Sequence, residues 1–134
     1  MSFSRPCSFI SPKELKKLLS STTDKPTVVD VRDDDYLGGH IVQCLHYPSS
    51  RFHSDVHSLV EELKDEHVVV FHCALSQQRG PKAARIYAET RAILLPEAAE
   101  QKVVVLRGGF MQFQAEFRNE PHLFEDFRPE LWDM

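Results

Sequence analysis

The run Val68-Val69-Val70-Phe71-His72-Cys73, continued by Ala74-Leu75-Ser76-Gln77-Gln78-Arg79 and then Gly80-Pro81, constrains this chain more than any other stretch. Val68 to Phe71 are consecutive apolar residues, three of them β-branched, which is how a strand buried on both faces of a parallel sheet reads. Gly80-Pro81 opens a helix directly after the arginine, since proline suits a first helical turn. Cys73 and Arg79 therefore lie on a loop between a parallel strand and the helix that follows it. In that setting successive backbone N–H groups can turn inward, and the first helical turn adds its free amides and the positive end of its dipole. Such a loop is a cradle for a tetrahedral anion. Arg79 offers a planar fork to two oxygens at once, and Cys73 a nucleophile that acts as its thiolate, a form favoured beside arginine at a helix N-terminus. A cysteine at a strand end is, taken alone, more often a small buried hydrophobe. The coincidence of strand, cysteine, five intervening residues, arginine and helix start carries the functional reading.

The remaining segments alternate between the two periodicities. Ser11-Pro12-Lys13-Glu14 is a capping box with proline at the first helical position, followed by the apolar stripe Leu15, Leu18, Leu19. Thr27 to Val31 reads as a buried strand, Leu45 to Tyr47 as a short one, and Asp55 to Leu63 as a helix with Val56, Leu59, Val60 and Leu63 on its inner face. Pro81 to about Ile93 forms the helix behind the loop, and Lys102 to Leu106 the last strand. Gly108-Gly109 then turns the chain into a helix carrying Phe110, Phe113 and Phe117. Strands alternating with helices predict an α/β fold: a parallel sheet of about five strands, helices on both faces, and ligands bound outside the carboxyl ends of the strands, where Cys73 falls. Residues 1–134 read as one domain, with 119–134 as a tail whose Phe124, Phe127, Leu131 and Trp132 are apolar enough to pack back on it.

Charge and cysteine usage narrow the partners. A net charge of -4 argues against nucleic-acid binding, which needs a basic face. An acidic chain that binds an oxyanion must do so through a focused positive pocket. No apolar run approaches the roughly 20 residues of a membrane span, and Met1 to Ile10 lacks the apolar core of a signal peptide. Cys7, Cys44 and Cys73 are few, odd in number and without metal spacing, which suits free thiols in a reducing cytoplasmic or nuclear compartment. His53 and His57 stand four residues apart but lack the glutamate of a metalloprotease pattern and read as a solvated helix face, so no metal is expected.

The loop His72 to Pro81 resembles the active loop of the rhodanese-fold dual-specificity phosphatases, the group of the cell-division-cycle phosphatases. Val28-Val29-Asp30-Val31-Arg32, Gly38-Gly39-His40-Ile41 and Val103-Val104-Val105-Leu106-Arg107-Gly108-Gly109-Phe110 resemble further rhodanese segments, so the likeness spans about residues 8 to 118. The small single-domain phosphatases and the eukaryotic arsenate reductases of this group are nearest in size. The resemblance implies that Cys73 is the nucleophile and that Arg79 binds the substrate oxyanion with Ala74, Leu75, Ser76, Gln77 and Gln78. It gives His72 the task of orienting the loop, and it implies no cofactor beyond glutathione and glutaredoxin for a reductase. The expected partner is a phosphorylated protein or a small phosphate or arsenate oxyanion.

Loop length separates the chemistries. Sulfurtransferases of this fold usually have four residues where this chain has five, so sulfur transfer is disfavoured. The cell-cycle enzymes carry glutamates at the first and last variable positions, here Ala74 and Gln78, so an acid for the leaving group must come from outside; Asp33, Asp34, Asp35 and Glu116 are candidates. That substitution keeps arsenate reduction as the alternative to phosphatase action, with a non-catalytic phosphate-binding module further off. The family's auxiliary cysteine is replaced by Val31, which leaves Cys44 as the internal candidate for a disulfide with Cys73. Asp30 and Arg32 read as a structural polar pair at the sheet edge.

Overall fold

The valine-rich segments pair side by side because each is apolar on both faces and can hide its backbone only inside a sheet. A computed structural model describes residues 8–133; Met1 to Cys7, and with them one of the three thiols, lie outside the described residues. The elements run β1 (Ser8–Ile10), α1 (Pro12–Leu19), β2 (Thr27–Asp30), β3 (His40–Ile41), β4 (Leu45–His46), α2 (Phe52–Glu62), β5 (Val68–His72), α3 (Arg79–Leu94), β6 (Lys102–Leu106), α4 (Gly109–Phe117) and β7 (Phe124–Glu125). The sheet is entirely parallel in the order β1-β6-β5-β2-β4, with β5 at its centre. The α/β sandwich expected from the alternation is therefore what forms.

Successive side chains of each strand go to opposite faces. Val29, Val69, Phe71 and Val105 meet Val56, Leu59 and Val60 of α2 and Ala83, Ala84 and Tyr87 of α3. Val28, Val70, Val104 and Leu106 meet Leu15 of α1 and Phe110, Phe113 and Phe117 of α4. The capping box on α1 is complete: Ser11 Oγ accepts from the Glu14 amide at 3.1 Å, and Glu14 Oε1 from the Ser11 amide at 2.9 Å.

Boundaries shift in two places that bear on the site. The helix after the loop begins at Arg79 rather than Pro81, and α2 begins at Phe52 rather than Asp55. The edge strand β1 has no pattern of its own; parallel pairing with β6, Phe9 opposite Val105, makes it a strand. The segment beyond α4 lies over the Gly38-Gly39 turn. Phe124 is buried, Phe127 and Trp132 are partly buried against the α4 layer, and Leu131 stays 51% exposed. Phe110 meets the rings of Phe124, Phe127 and Trp132 at centroid distances of 5.9, 6.4 and 5.1 Å. Two donors, the Arg128 amide and the Trp132 indole Nε1, converge on the Gly38 carbonyl at 2.9 and 3.0 Å. Gly39, at φ +126°, lies so close beneath Phe127 that a Cβ would stand 2.8 Å from the Phe127 Cα, so only glycine fits this crossing.

Candidate active site

The carboxyl ends of neighbouring parallel strands converge on one edge of the sheet. β5 delivers Cys73, β2 leads into Asp33 and Asp35, β4 into Ser49 and Ser50, and β6 into Gly108-Gly109. Cys73 continues the alternation of Val69 and Phe71 toward the α2/α3 face, whereas His72 points to the other side. The thiol is 3% exposed.

The loop folds around that sulfur. Cys73 Sγ accepts from the backbone amides of Ser76 at 3.2 Å and Gly80 at 3.3 Å, and the Cys73 amide donates to Ser76 Oγ at 3.4 Å. Ser76 adopts φ +56°, a left-handed conformation that costs a non-glycine residue roughly 1–2 kcal/mol and here curls the loop back over the cysteine. Among the described residues, Leu75 and Gln77 donate their amides to no protein acceptor, so these N–H groups are available to a ligand. The outer carbonyls of the loop are held from α4: the Phe110 amide donates to Cys73 O and the Met111 amide to Ala74 O, both at 3.0 Å. Gly109, at φ +61°, is the close-approach point, because a Cβ there would collide with both of those carbonyl oxygens. The sequence marked Gly108-Gly109 only as a turn; its role as a buttress follows from β6 lying beside β5.

Arg79 is the first residue of α3, and its guanidinium reaches across to the loop after β2. Nη1 and Nη2 engage Asp35 Oδ1 and Oδ2 at 3.0 and 2.6 Å, and Nη1 also meets Asp33 Oδ2 at 3.3 Å. The hydrogen bonds to Asp35 raise the already high pKa of Arg79, and those from Arg79 lower that of Asp35. Burial opposes ionisation of Asp33, but hydrogen bonds from the Ser49 hydroxyl, the Ser50 amide and Arg79 outweigh it and bring its pKa down to about 2. Of the four acids considered from sequence, the structure thus brings Asp33 and Asp35 to Arg79. Asp34 is exposed beside them, and Glu116 bonds Gln112 on its own helix.

Beneath the loop lies a buried polar layer. Asp30 and Arg32 are both fully buried; Arg32 Nε and Nη2 grip the carboxylate at 2.7–3.1 Å, and the guanidinium stacks 4.3 Å over Phe110. Its remaining donors reach Asp35 O at 3.1 Å and Gly39 O at 2.8 Å, so the polar pair read from sequence also pins the loop that carries Asp33 and Asp35. His72 Nδ1 lies 3.0 Å from the Cys73 carbonyl. Its Nε2 has no hydrogen-bond partner and stands 3.7 Å from Asp30 Oδ2. Burial lowers the pKa of His72, which keeps the ring neutral, so that approach is not an ion pair; Arg32 neutralises Asp30.

Cys44 packs with the α1/α4 layer while Cys73 belongs to the other core, across the sheet, so nothing in the packing joins them, and both are free thiols. Burial pushes the Cys44 pKa up to about 12. His53 and His57 are exposed on α2. No helix among the described residues is long and apolar enough to cross a membrane.

Residues 11–116 match the family model of the rhodanese-like domain. The chain belongs to the rhodanese-like family. Within it, the CDC25-like phosphatase YCH1 of Saccharomyces cerevisiae is 36% identical, over 92% of this chain and 93% of that protein. Arsenate reductase 2.2 of Oryza sativa is 33% identical, over 79% of this chain and 81% of its own length. The solved structure of a yeast protein tyrosine phosphatase of the rhodanese family superposes with a TM-score of 0.78 at 34% identity, covering 98% of this chain and 99% of that one. The relatives of this rhodanese-like chain thus include both phosphatases and arsenate reductases.

Proposed function

We propose that this rhodanese-like protein is a cysteine-dependent tyrosine or dual-specificity phosphatase with Cys73 as nucleophile and Arg79 as the ligand of the substrate oxyanion. The observation that carries the reading is the sulfur of Cys73 held by the Ser76 and Gly80 amides at 3.2 and 3.3 Å, inside a loop with five residues before Arg79. The thiolate attacks phosphorus, the S–P bond forms as the P–O bond to the leaving group breaks, and water then cleaves the thiophosphate to release phosphate and restore the thiol. The loop amides and the guanidinium meet the charge that develops on the equatorial oxygens.

The leaving oxygen needs a proton or a stable anion. Ala74 and Gln78 have none to give, and Asp33 and Asp35 are ionised at neutral pH by their contacts with Arg79 and the neighbouring hydroxyl and amides. A phenol, with pKa near 10, leaves with little help, whereas an alkyl alcohol does not. This favours phosphotyrosine and other aryl phosphates over phosphoserine. The same lack of a loop acid supports a second reading, arsenate reduction. There Cys73 attacks arsenic and expels hydroxide or water, and two external thiols, supplied by glutathione and glutaredoxin, deliver two electrons and leave as a disulfide while arsenite departs.

The deciding experiment presents one purified sample with an aryl phosphate, with arsenate plus glutathione and glutaredoxin, and with thiosulfate plus cyanide. Phosphate release that disappears in Cys73→Ser is expected. Arsenate turnover with negligible phosphate release would replace the first reading by the second.

A further inference from the structure

We propose that Asp35, braced by Asp33, sets the anion selectivity of this site by occupying the Nη edge of Arg79, so that a ligand wins the arginine only if it also collects the loop amides. The inference rests on the reading of Arg79 as the oxyanion ligand. It deepens that reading by naming the residue against which every ligand competes.

Three features carry it. First, the contact has the shape of a bound substrate: two carboxylate oxygens on two guanidinium nitrogens, at 3.0 and 2.6 Å, form the fork-to-fork pair that a phosphate would make. A tetrahedral anion drawing on the same two nitrogens must part them from Asp35. Second, the acids are held independently of Arg79. The Asp33 amide donates to Asp35 Oδ1 at 2.9 Å, Arg32 Nη1 holds the Asp35 carbonyl at 3.1 Å, and Asp33 takes the Ser49 hydroxyl at 2.6 Å and the Ser50 amide at 3.0 Å. The carboxylate loop thus has anchors of its own, whereas the Arg79 guanidinium bonds no group but these two acids among the described residues, so it is the partner that can turn to a ligand. Third, the charges do not balance. One guanidinium faces two carboxylates, so an anion approaching this side meets a net negative charge until Arg79 turns to it.

A monovalent anion with only the guanidinium to gain exchanges one carboxylate for another and wins nothing. A tetrahedral dianion has further oxygens for the Leu75 and Gln77 amides and the α3 N-terminus, which Asp35 does not touch. The acid pair is thus a filter for ligands that fill the loop. It raises the concentration at which they bind and excludes those that do not.

The test measures binding, not turnover. Tungstate, an unreactive tetrahedral dianion, is titrated calorimetrically into wild type, D35N and D34N; Asp34 has the same charge one residue away but makes no contact with Arg79. D35N is expected to bind tungstate about fivefold more tightly, the equivalent of ~1 kcal/mol for a part-exposed ion pair. It should also admit acetate as a competitor, which wild type does not, while D34N changes affinity less than about 1.5-fold, as a screened surface charge does. Unchanged or weaker tungstate binding in D35N, or an equal gain in D34N, overturns the proposal. Should D35N not fold, D33N, which removes the charge of the 3.3 Å partner and leaves an amide oxygen to accept from the Ser50 amide, is expected to tighten tungstate about twofold, and no gain there overturns it as well. Wild type that binds tungstate in this way but turns over neither phosphate ester nor arsenate would end the catalytic reading and leave this one standing. Wild type that binds no tungstate ends both.

Discussion

Replacing Arg32 with methionine isolates the polar layer under the loop. Methionine matches the length and flexibility of the arginine stem, so the change removes the guanidinium with little cavity. What remains is a fully buried Asp30 whose carboxylate keeps one donor, the Arg32 backbone amide at 3.0 Å, and has lost three contacts to the guanidinium. Breaking a buried pair by removing one partner costs about 3–5 kcal/mol, because the surviving charge is left in a low dielectric. For a chain of this size roughly 1 kcal/mol is worth about 4 °C, so the melting temperature should fall by about 12–20 °C. The Gly39 and Asp35 carbonyls lose a donor as well, so the Asp33–Gly39 loop should loosen and amide exchange there should quicken. The double variant Asp30→Asn/Arg32→Met removes the stranded charge and should recover about 2 kcal/mol of the loss, the carbonyls remaining unpaired. Urea denaturation followed by circular dichroism, at pH 7, measures all three proteins. The sign with pH also changes. In wild type the lowered Asp30 pKa contributes stability that is present above the usual carboxylate pKa and lost as pH falls through the lowered value; in Arg32→Met burial raises that pKa, and stability declines as pH rises past 3.8. A loss below about 1 kcal/mol in the single variant, or a double variant no more stable than the single, would refute the assignment of Arg32 as the counter-charge of Asp30.

Gly109→Ala sets a methyl group against the Cys73 and Ala74 carbonyls at a left-handed φ, so it should cost at least about 2–3 kcal/mol and reduce turnover of an aryl phosphate beyond tenfold; thermal melts and initial rates read both, and wild-type behaviour would deny the buttress. His72 is buried with its pKa lowered, so its contribution to stability is full above pH 6.5 and falls as pH drops below it, by up to about 1.4 kcal/mol per pH unit; a His72→Asn variant should flatten the urea-midpoint profile between pH 6.5 and 5. Trp132→Ala should cost about 3 kcal/mol through lost burial over Phe110 and Gly38, and denaturant midpoints will show it. Cys44, its thiol pushed up to about 12, should resist iodoacetamide at pH 7.5 in the native protein and react on unfolding, which mass mapping of the alkylated sites will report.

Much of this molecule was legible one segment at a time. The capping box at Ser11, the apolar runs at Val28 and Val68, the helix with Val56, Leu59 and Val60, and the strand-loop-helix around Cys73 are each encoded by neighbours within a few residues, where periodicity and caps act. Residues whose meaning depends on partners far along the chain were not legible in this way. β1 is a strand only because β6 lies beside it, and Gly109 is required only because the Cys73 loop passes over it. Asp33, Asp34 and Asp35 look alike in sequence, and the fold alone separates the two that hold Arg79 from the one that faces outward.

The division has a physical cause. Strand, turn and helix propensities, the spacing from Cys73 to Arg79 and the absence of an acid at Ala74 and Gln78 are local properties, and they already determine an α/β chain with the Cys73–Arg79 loop between a strand and a helix. Which way each side chain on that loop turns is a competition between distant groups, decided by Coulomb attraction and hydrogen bonding at 2.6–3.3 Å between segments 44 and 46 residues apart. The Arg79 side chain is gripped by two carboxylates from the neighbouring strand's loop. Only the parallel pairing of β2 with β5 brings them within reach.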